Sequence, residues 1–399
     1  MNLTPSAQAL RAELVARGLA LEALAFASAG RYAALGAPWP VAPQPVAPQP
    51  GEPQAGEPPS RKLFGGYPGA VVAALPYDPR PVEPPPGLAL PLAIGAFAAS
   101  HRYATLARIL KAAALAFGAE RGYTKRDFRV AVNSSLHEKA LAAVSGLAFI
   151  GRSSLAVTKP YGPACVLGAL LLPFDPFDEA APGAPAPGEA ANIAVGREAA
   201  PAAGDAASIA GDWEAAPAAG LDERLRPGAL CGACRACAEA CPSGAIRPQA
   251  ADAPGLGPPL ELSLCIQYWA SRGDDAPAPS ELSAEPPAAV LKTWGSRLYG
   301  CDECVRACPY SSGSYRSRHG VGDPRSPAAF ADGLAAAAER VPGPYVDGLG
   351  LLEADEGALK AIFRGSALGF SWLGPAAILR NARRAARAGR RADAGRREP

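Results

Sequence analysis

Apolar residues recur at Leu10, Leu14, Leu21 and Leu24, which predicts a helix over residues 8–26 broken at Gly18. Ala70 to Leu75 (AVVAAL) is a continuous apolar run and predicts a buried strand. Leu106, Ile109, Leu110, Ala113 and Phe117 then fall on one helical face. Phe128 to Val132 predicts a second strand, and residues 136–146 a helix. Leu155 to Thr158 and Val166 to Leu172 predict further strands, with Gly146 and Gly151 punctuating the passage from helix to sheet. The order of these elements predicts an α+β protein that opens with an α/β domain.

Two stretches interrupt the pattern. Residues 37–60 contain VAPQP twice, then GEPQAGEPPS, and proline at that density blocks both helix and ladder. Residues 174–226 are rich in Ala, Pro and Gly with scattered acids, and predict a disordered surface insertion. The predicted boundaries are a helical segment at 1–36, a Pro-rich linker at 37–60, an α/β domain at 61–173, the insertion at 174–226, a cysteine-rich domain at 227–320 and a helical region at 321–399. That last region ends in the basic tail ILRNARRAARAGRRADAGRRE.

At 399 residues, with 49% hydrophobic and 19% charged side chains, the chain has the make-up of an ordinary soluble protein of two or three domains. A formal net charge of +2 gives no global case for a nucleic-acid or membrane-surface protein. No uninterrupted apolar run reaches the length of a membrane span, since the Cys165 to Phe174 stretch is short and bounded by prolines. No basic region followed by an apolar core marks a secretory signal, so a cytoplasmic protein without membrane attachment is expected. A reducing compartment keeps clustered thiols available for metal.

The cysteines carry the chemistry. Cys231-x2-Cys234-x2-Cys237-x3-Cys241-Pro242 has the bacterial ferredoxin spacing, in which three thiolates wrap one 4Fe–4S cube and the fourth reaches a second. Cys301-x2-Cys304-x3-Cys308-Pro309 is one cysteine short of the same pattern, and Cys265 lies between the runs. Two cubes need eight thiolates, which these residues supply. By the crossover rule, Cys231, Cys234, Cys237 and Cys308 hold one cluster, and Cys241, Cys265, Cys301 and Cys304 the other. The alternative is a pair of zinc sites, which also use C-x2-C pairs but rarely a run ending in Cys-Pro. The ninth cysteine, Cys165, sits in PACVLGALLL and reads as a small core hydrophobe.

Beyond the cysteines, GLAFIGRSSLAVTKPYG (146–162), CIQYW (265–269), YGCDECVRACPY (299–310), FRGSAL (363–368) and LRNA (379–382) together resemble the epoxyqueuosine reductases. The resemblance implies an α/β corrinoid-binding-like domain, a ferredoxin-like domain with two 4Fe–4S clusters and a short helical C-terminal region. It also implies cobalamin as a cofactor, a modified tRNA base as substrate, and a reduced flavodoxin or ferredoxin-type electron donor. An epoxide would be reduced to an alkene with loss of water, the hard chemistry lying with the cofactor. Tyr103, Asn133 and Gly151 fall in the implied cobalamin vicinity.

Two departures stand out. Where the family has Val-Asp-Ser-Ala, with the aspartate as proton donor, this chain has Val132-Asn133-Ser134-Ser135. An amide cannot serve as a general acid, so Asn133 occupies the catalytic position without its chemistry. Where the family carries Asp-Tyr-His, this chain has Arg102-Tyr103-Ala104. His137 is a candidate substitute donor, or simply an exposed polar residue. Tyr268, Trp269, Trp294 and Tyr310 flank the cysteines and read as shielding core residues. The arginines of the tail suit either tRNA phosphates or a solvated basic tail. Three functions follow: an epoxyqueuosine reductase-like enzyme, a paralogous corrinoid reductase of another substrate, or a ferredoxin-like electron carrier.

Overall fold

The computed structural model describes residues 2–34, 63–134, 136–177, 221–248, 259–272, 285–312, 343–364, 366–369 and 373–395. The Pro-rich linker and nearly all of the predicted insertion lie outside the described residues.

The first helix, Pro5–Ala16, opens on Thr4, whose Oγ1 accepts from the Ala7 N–H at 3.2 Å, with Pro5 in the first turn. It ends at Ala16, ten residues before the end of the predicted helix. The chain turns at Gly18 (φ 91°), and the apolar residues beyond it form strand β1 (Leu24–Ser28) instead of more helix. Pairing decides this: Leu24 to Ser28 align antiparallel with Ala73 to Gly69 of the next strand, and the ladder overrides the helical spacing of Leu21 and Leu24.

Strand β2 (Gly69–Pro76) is buried along its whole length. It is followed by β3 (Pro91–Ile94), β4 (Arg129–Val132), β5 (Ala148–Ile150), β6 (Ala156–Thr158) and β7 (Cys165–Leu172). The main sheet has the order β1-β2-β7-β4 and is antiparallel throughout. Its two faces separate cleanly in β2. Ala70, Val72 and Ala74 pack into a core with Leu141, Ala143 and Leu171. Val71, Ala73 and Leu75 pack into another with Leu10, Leu106, Leu110 and Phe117. Helices therefore cover both faces, which explains why β2 and β7 read as continuous apolar runs and not as alternation.

The helix Arg102–Arg121 buries the predicted stripe of Leu106, Ile109, Leu110, Ala113 and Phe117. Each such leucine contributes about 1.5–3 kcal/mol through burial, and truncating Leu110 to alanine would cost about 2–5 kcal/mol. On the other face lies Glu138–Val144, shorter than the predicted 136–146. The hairpin of β5 and β6 leads from this layer toward the cysteines.

A second sheet, β8-β3-β9, contains β8 (Arg297–Tyr299) and β9 (Tyr345–Asp347), neither of which the apolar pattern announced. Strand β3 pairs parallel with β8 and antiparallel with β9, so segments far apart in sequence close one core. That core gathers Trp269, Trp294, Leu298, Leu359, Phe363 and Ile378. The basic C-terminal segment forms a helix, Pro375–Gly395, whose Ala377, Ile378, Ala382 and Ala385 are buried in it. Residues 375–389 are thus docked structure, whichever partner their arginines serve.

The boundaries of the predicted insertion also shift. Thr4 donates its backbone N–H to Pro176 O, and Ser28 donates its hydroxyl to Asp175. Residues 221–225 form a short helix against Glu138–Val144. No helix among the described residues is long and apolar enough to cross a membrane.

Candidate metal centres

The first cysteine run is folded by short-range bonds. Gly228 to Cys231 form a turn, the Cys234 N–H donates to Cys231 O, and the helix Ala236–Glu239 carries Cys237. The second run sits on the helix Glu303–Ala307, which packs on Ala236–Glu239. This contact brings Cys308 back to the first run. Cys231, Cys234, Cys237 and Cys308 line one cavity, walled further by Gly151, Arg152, Val157, Pro309 and Tyr310. Phe149, Val157 and Tyr310 form a small apolar cluster beside it, with Phe149 and Tyr310 edge to face at 5.8 Å.

Cys265 reaches the other group through a two-stranded clasp. Ala245 O accepts from the Glu261 N–H at 2.8 Å, the Arg247 N–H donates to Pro259 O at 2.7 Å, and the Arg247 and Glu261 side chains pair at 2.8 Å. Ser243 Oγ then donates to Leu264 O at 2.6 Å, directly before Cys265. Cys265 lies within electrostatic reach of Cys301 and Cys241, and Cys304 of Cys301, Cys265 and Cys241. Cys304 also senses Cys237, so the two groups are neighbours.

Eight thiols in two groups suit two cubes, each of which needs four thiolates. The first four line one cavity. Burial pushes the thiols of Cys237 and Cys265 up to about 11, and raises those of Cys231, Cys301, Cys304 and Cys308 as well. Such groups are neutral until metal displaces the proton, so loading releases protons. Backbone N–H groups already point at sulfur: Arg152 N–H at Cys231 Sγ (3.4 Å) and Ala245 N–H at Cys241 Sγ (3.2 Å).

Asn133 ends β4 in the left-handed region (φ 50°), a conformation that Asn and Asp tolerate best after glycine. The turn after it is tied down by Glu138, whose Oε1 accepts from the Ser134 N–H at 2.8 Å and the Ser134 hydroxyl at 3.0 Å. Burial raises the carboxyl pKa of Glu138, opposed by these two bonds and by Lys139. Tyr103, in the first turn of Arg102–Arg121, has its hydroxyl pKa raised by burial and by the proximity of Tyr299, Glu138, Cys165 and Asp302. Tyr77 belongs to the same buried group, raised by burial and by Asp302, Cys165, Tyr103 and Cys304. Asp302 accepts from the Ala96 N–H at 2.7 Å through Oδ2, while Oδ1 is buried without a hydrogen-bond partner.

The predicted residues therefore fall at two places. Tyr103 lies within electrostatic reach of Asp302, which stands between Cys301 and Cys304, and of Glu138, which is bonded to the turn after Asn133. Gly151, expected near cobalamin, stands in the wall of the Cys231 cavity. His137 precedes the Glu138 helix without capping it through its side chain. Cys165 is half-buried, its Sγ 3.7 Å from Thr158 Oγ1. Of the four aromatic residues read as shielding core, Trp269, Trp294 and Tyr310 are buried and Tyr268 is half-buried. Sequence reasoning passed over Arg152, Glu138, Asp302 and Tyr77. Asp302 was signalled by its place between Cys301 and Cys304, and Arg152 by its place beside Gly151 in the 146–162 segment; Glu138 and Tyr77 had no local signal.

Residues 230–311 match the family model described as a 4Fe-4S double cluster binding domain. That stretch, which holds Cys231 through Cys308, is thus similar to domains that bind two 4Fe–4S clusters. The epoxyqueuosine reductase of Francisella cf. novicida (strain Fx1) is 32% identical over 82 residues, 21% of this chain and 18% of that protein. The epoxyqueuosine reductase of Escherichia coli (strain K12) is 33% identical over 98 residues, 24% of this chain and 21% of that protein. The matched segments span only about a fifth of these relatives. The fold reaches further. Epoxyqueuosine reductase from Streptococcus thermophilus superposes with a TM-score of 0.56 at 18% identity, over 96% of this chain and 81% of that one. An epoxyqueuosine reductase solved with a tRNA-Tyr epoxyqueuosine-modified stem loop superposes with a TM-score of 0.55 at 18% identity, over 96% and 80%. The resemblance to epoxyqueuosine reductases holds in sequence over part of the chain and in fold over nearly all of it.

Proposed function

We propose that this chain is a cytoplasmic reductase that passes electrons through two 4Fe–4S clusters to a corrinoid, and acts on an epoxyqueuosine-type base in tRNA. The observation that carries the reading is the pair of four-cysteine groups set in a fold shared with epoxyqueuosine reductases along nearly the whole chain. Cys231, Cys234, Cys237 and Cys308 would hold one cluster, and Cys241, Cys265, Cys301 and Cys304 the other. A bound corrinoid would supply a strongly nucleophilic reduced cobalt. The chain's own part is to keep Tyr103 protonated and buried, to hold substrate or corrin through the Asn133 amide, and to keep Glu138 hydrogen-bonded to the turn. A reduced flavodoxin or ferredoxin-type protein would supply electrons.

Asn133 favours a second reading, a paralogue whose substrate needs no acid at that position. A positioned general acid contributes on the order of 10²–10⁴-fold to breaking a bond to oxygen. The test is anaerobic reconstitution followed by single-turnover reduction of epoxyqueuosine-containing tRNA, wild type against Asn133→Asp. Two cubes require about eight irons per chain. Cys231→Ala and Cys265→Ala should each remove one cluster, and Cys165→Ala neither. Slow reduction accelerated by Asn133→Asp supports the first reading. Inactivity in both, with iron and corrinoid bound, supports the paralogue. Absence of a bound-corrinoid spectrum would leave the electron carrier.

A further inference from the structure

Arg152 is almost wholly buried, 3% exposed, in the wall of the Cys231 cavity. Its backbone N–H points at Cys231 Sγ at 3.4 Å. Its guanidinium donates Nε–H to Cys234 O at 3.2 Å and Nη2–H to Gly232 O at 3.1 Å. The residue comes from the hairpin side, just after β5, and is not part of either cysteine run. The same two segments are joined again where the Gly228 N–H donates to Ile150 O at 2.9 Å. Gly228 permits the approach: its φ is +82°, and a Cβ there would lie 3.2 Å from Arg152 Cα.

At the wall of this cavity a buried positive charge suits a group that becomes more negative on reduction. Positive charge and N–H donors at the sulfurs stabilise the reduced form of an iron–sulfur cluster.

We propose that Arg152 is a positioning and potential-setting residue for the cluster held by Cys231, Cys234, Cys237 and Cys308, clamping the Cys231–Cys234 loop and raising that cluster's reduction potential. This rests on the iron–sulfur reading above. No proton moves in the step; one electron enters the cube, and the net charge becomes more negative by one.

The test is an EPR-monitored redox titration of the loaded protein, with iron content measured alongside. Arg152→Gln keeps a donor and removes the charge; Arg152→Lys keeps the charge and loses the fork. In Arg152→Gln, one of the two potentials should fall, with electron uptake weakened about tenfold, about 59 mV for a one-electron couple. The other potential should stay. Arg152→Lys should hold the potential while losing iron to a chelator several-fold faster, because a single ammonium nitrogen does not reproduce the separated Nε and Nη2 donors that reach the Cys234 and Gly232 carbonyls. If Arg152→Gln fails to load, the Arg152→Lys pair of readouts still decides. Unchanged potentials in Arg152→Gln, or a potential in Arg152→Lys that falls as far, would overturn the charge role. Iron far below two cubes in the wild type would instead overturn the cluster reading itself.

Discussion

Gly162 offers a measurable test of how the sheet layer is fastened to the second cysteine run. It lies in the turn between β6 and β7, bonded to Thr158 in both directions at 2.8 and 3.0 Å, with φ +58°. A Cβ at this position would stand 2.6 Å from both the carbonyl carbon and oxygen of Tyr310, two residues after Cys308. These are backbone atoms, so no rotamer relieves the contact. Gly162→Ala should therefore carry two costs. The left-handed backbone costs a side chain about 1–2 kcal/mol, and forced overpacking a further 1–3 kcal/mol or so. Gly122 isolates the first cost: it caps the helix Arg102–Arg121 at φ +76° with nothing within 4 Å of its Cβ position. At about 2 °C per kcal/mol for a large domain, Gly122→Ala should lower the melting temperature by about 2–4 °C and Gly162→Ala by about 4–10 °C. The assay is thermal bleaching of cluster absorbance in anaerobic, reconstituted protein, with iron counted beforehand. Gly162→Ala should also release iron first from the cluster that Cys308 would hold. Equal melting of the two variants with equal iron would refute the close approach of Tyr310.

Glu138→Gln tests the buried carboxyl. Its folded pKa is raised, so its contribution to stability is full below the ordinary glutamate value and is lost as pH rises through the folded value. The melting temperature of wild type relative to Glu138→Gln should accordingly fall as pH is raised from 4 to 8, ~4.3 being the unfolded value; parallel curves would contradict the burial. Arg384→Ala should lower the melting temperature, because this side chain stacks over Trp294 at 5.3 Å and pairs with Glu285 at 2.8 Å; the loss should be about 0.5–2 kcal/mol. Removing residues 383–399 should cost more, since Ala385 and Ala386 are buried, and an unchanged melt would return the segment to a solvated tail. Arg383→Glu with Arg387→Glu, both exposed, should reduce the salt slope of tRNA binding by roughly one per charge if this face meets phosphates.

The Cys-Pro runs and their spacing declared the iron–sulfur chemistry from the residues alone, because cube geometry demands thiolates at short, regular intervals. The stripe from Leu106 to Phe117 and the apolar runs of β2 and β7 were legible too, since burial on a helix face or inside a covered sheet leaves a periodic or continuous record. What stayed hidden is what depends on partners distant in sequence. Leu24 to Ser28 became a strand because β2 offered a ladder. Strands β8 and β9 are too short to carry a period and exist because β3 lies between them. Arg152 and Glu138 look like surface charges in the sequence, each beside residues of ordinary polarity. Only the close packing of β5 on the Cys231 loop, and of the Asn133 turn on its following helix, buries them. The sequence determined which atoms could bind metal; tertiary structure decided which charges face that metal, because an electrostatic neighbour is set by distance in space and leaves no mark along the chain.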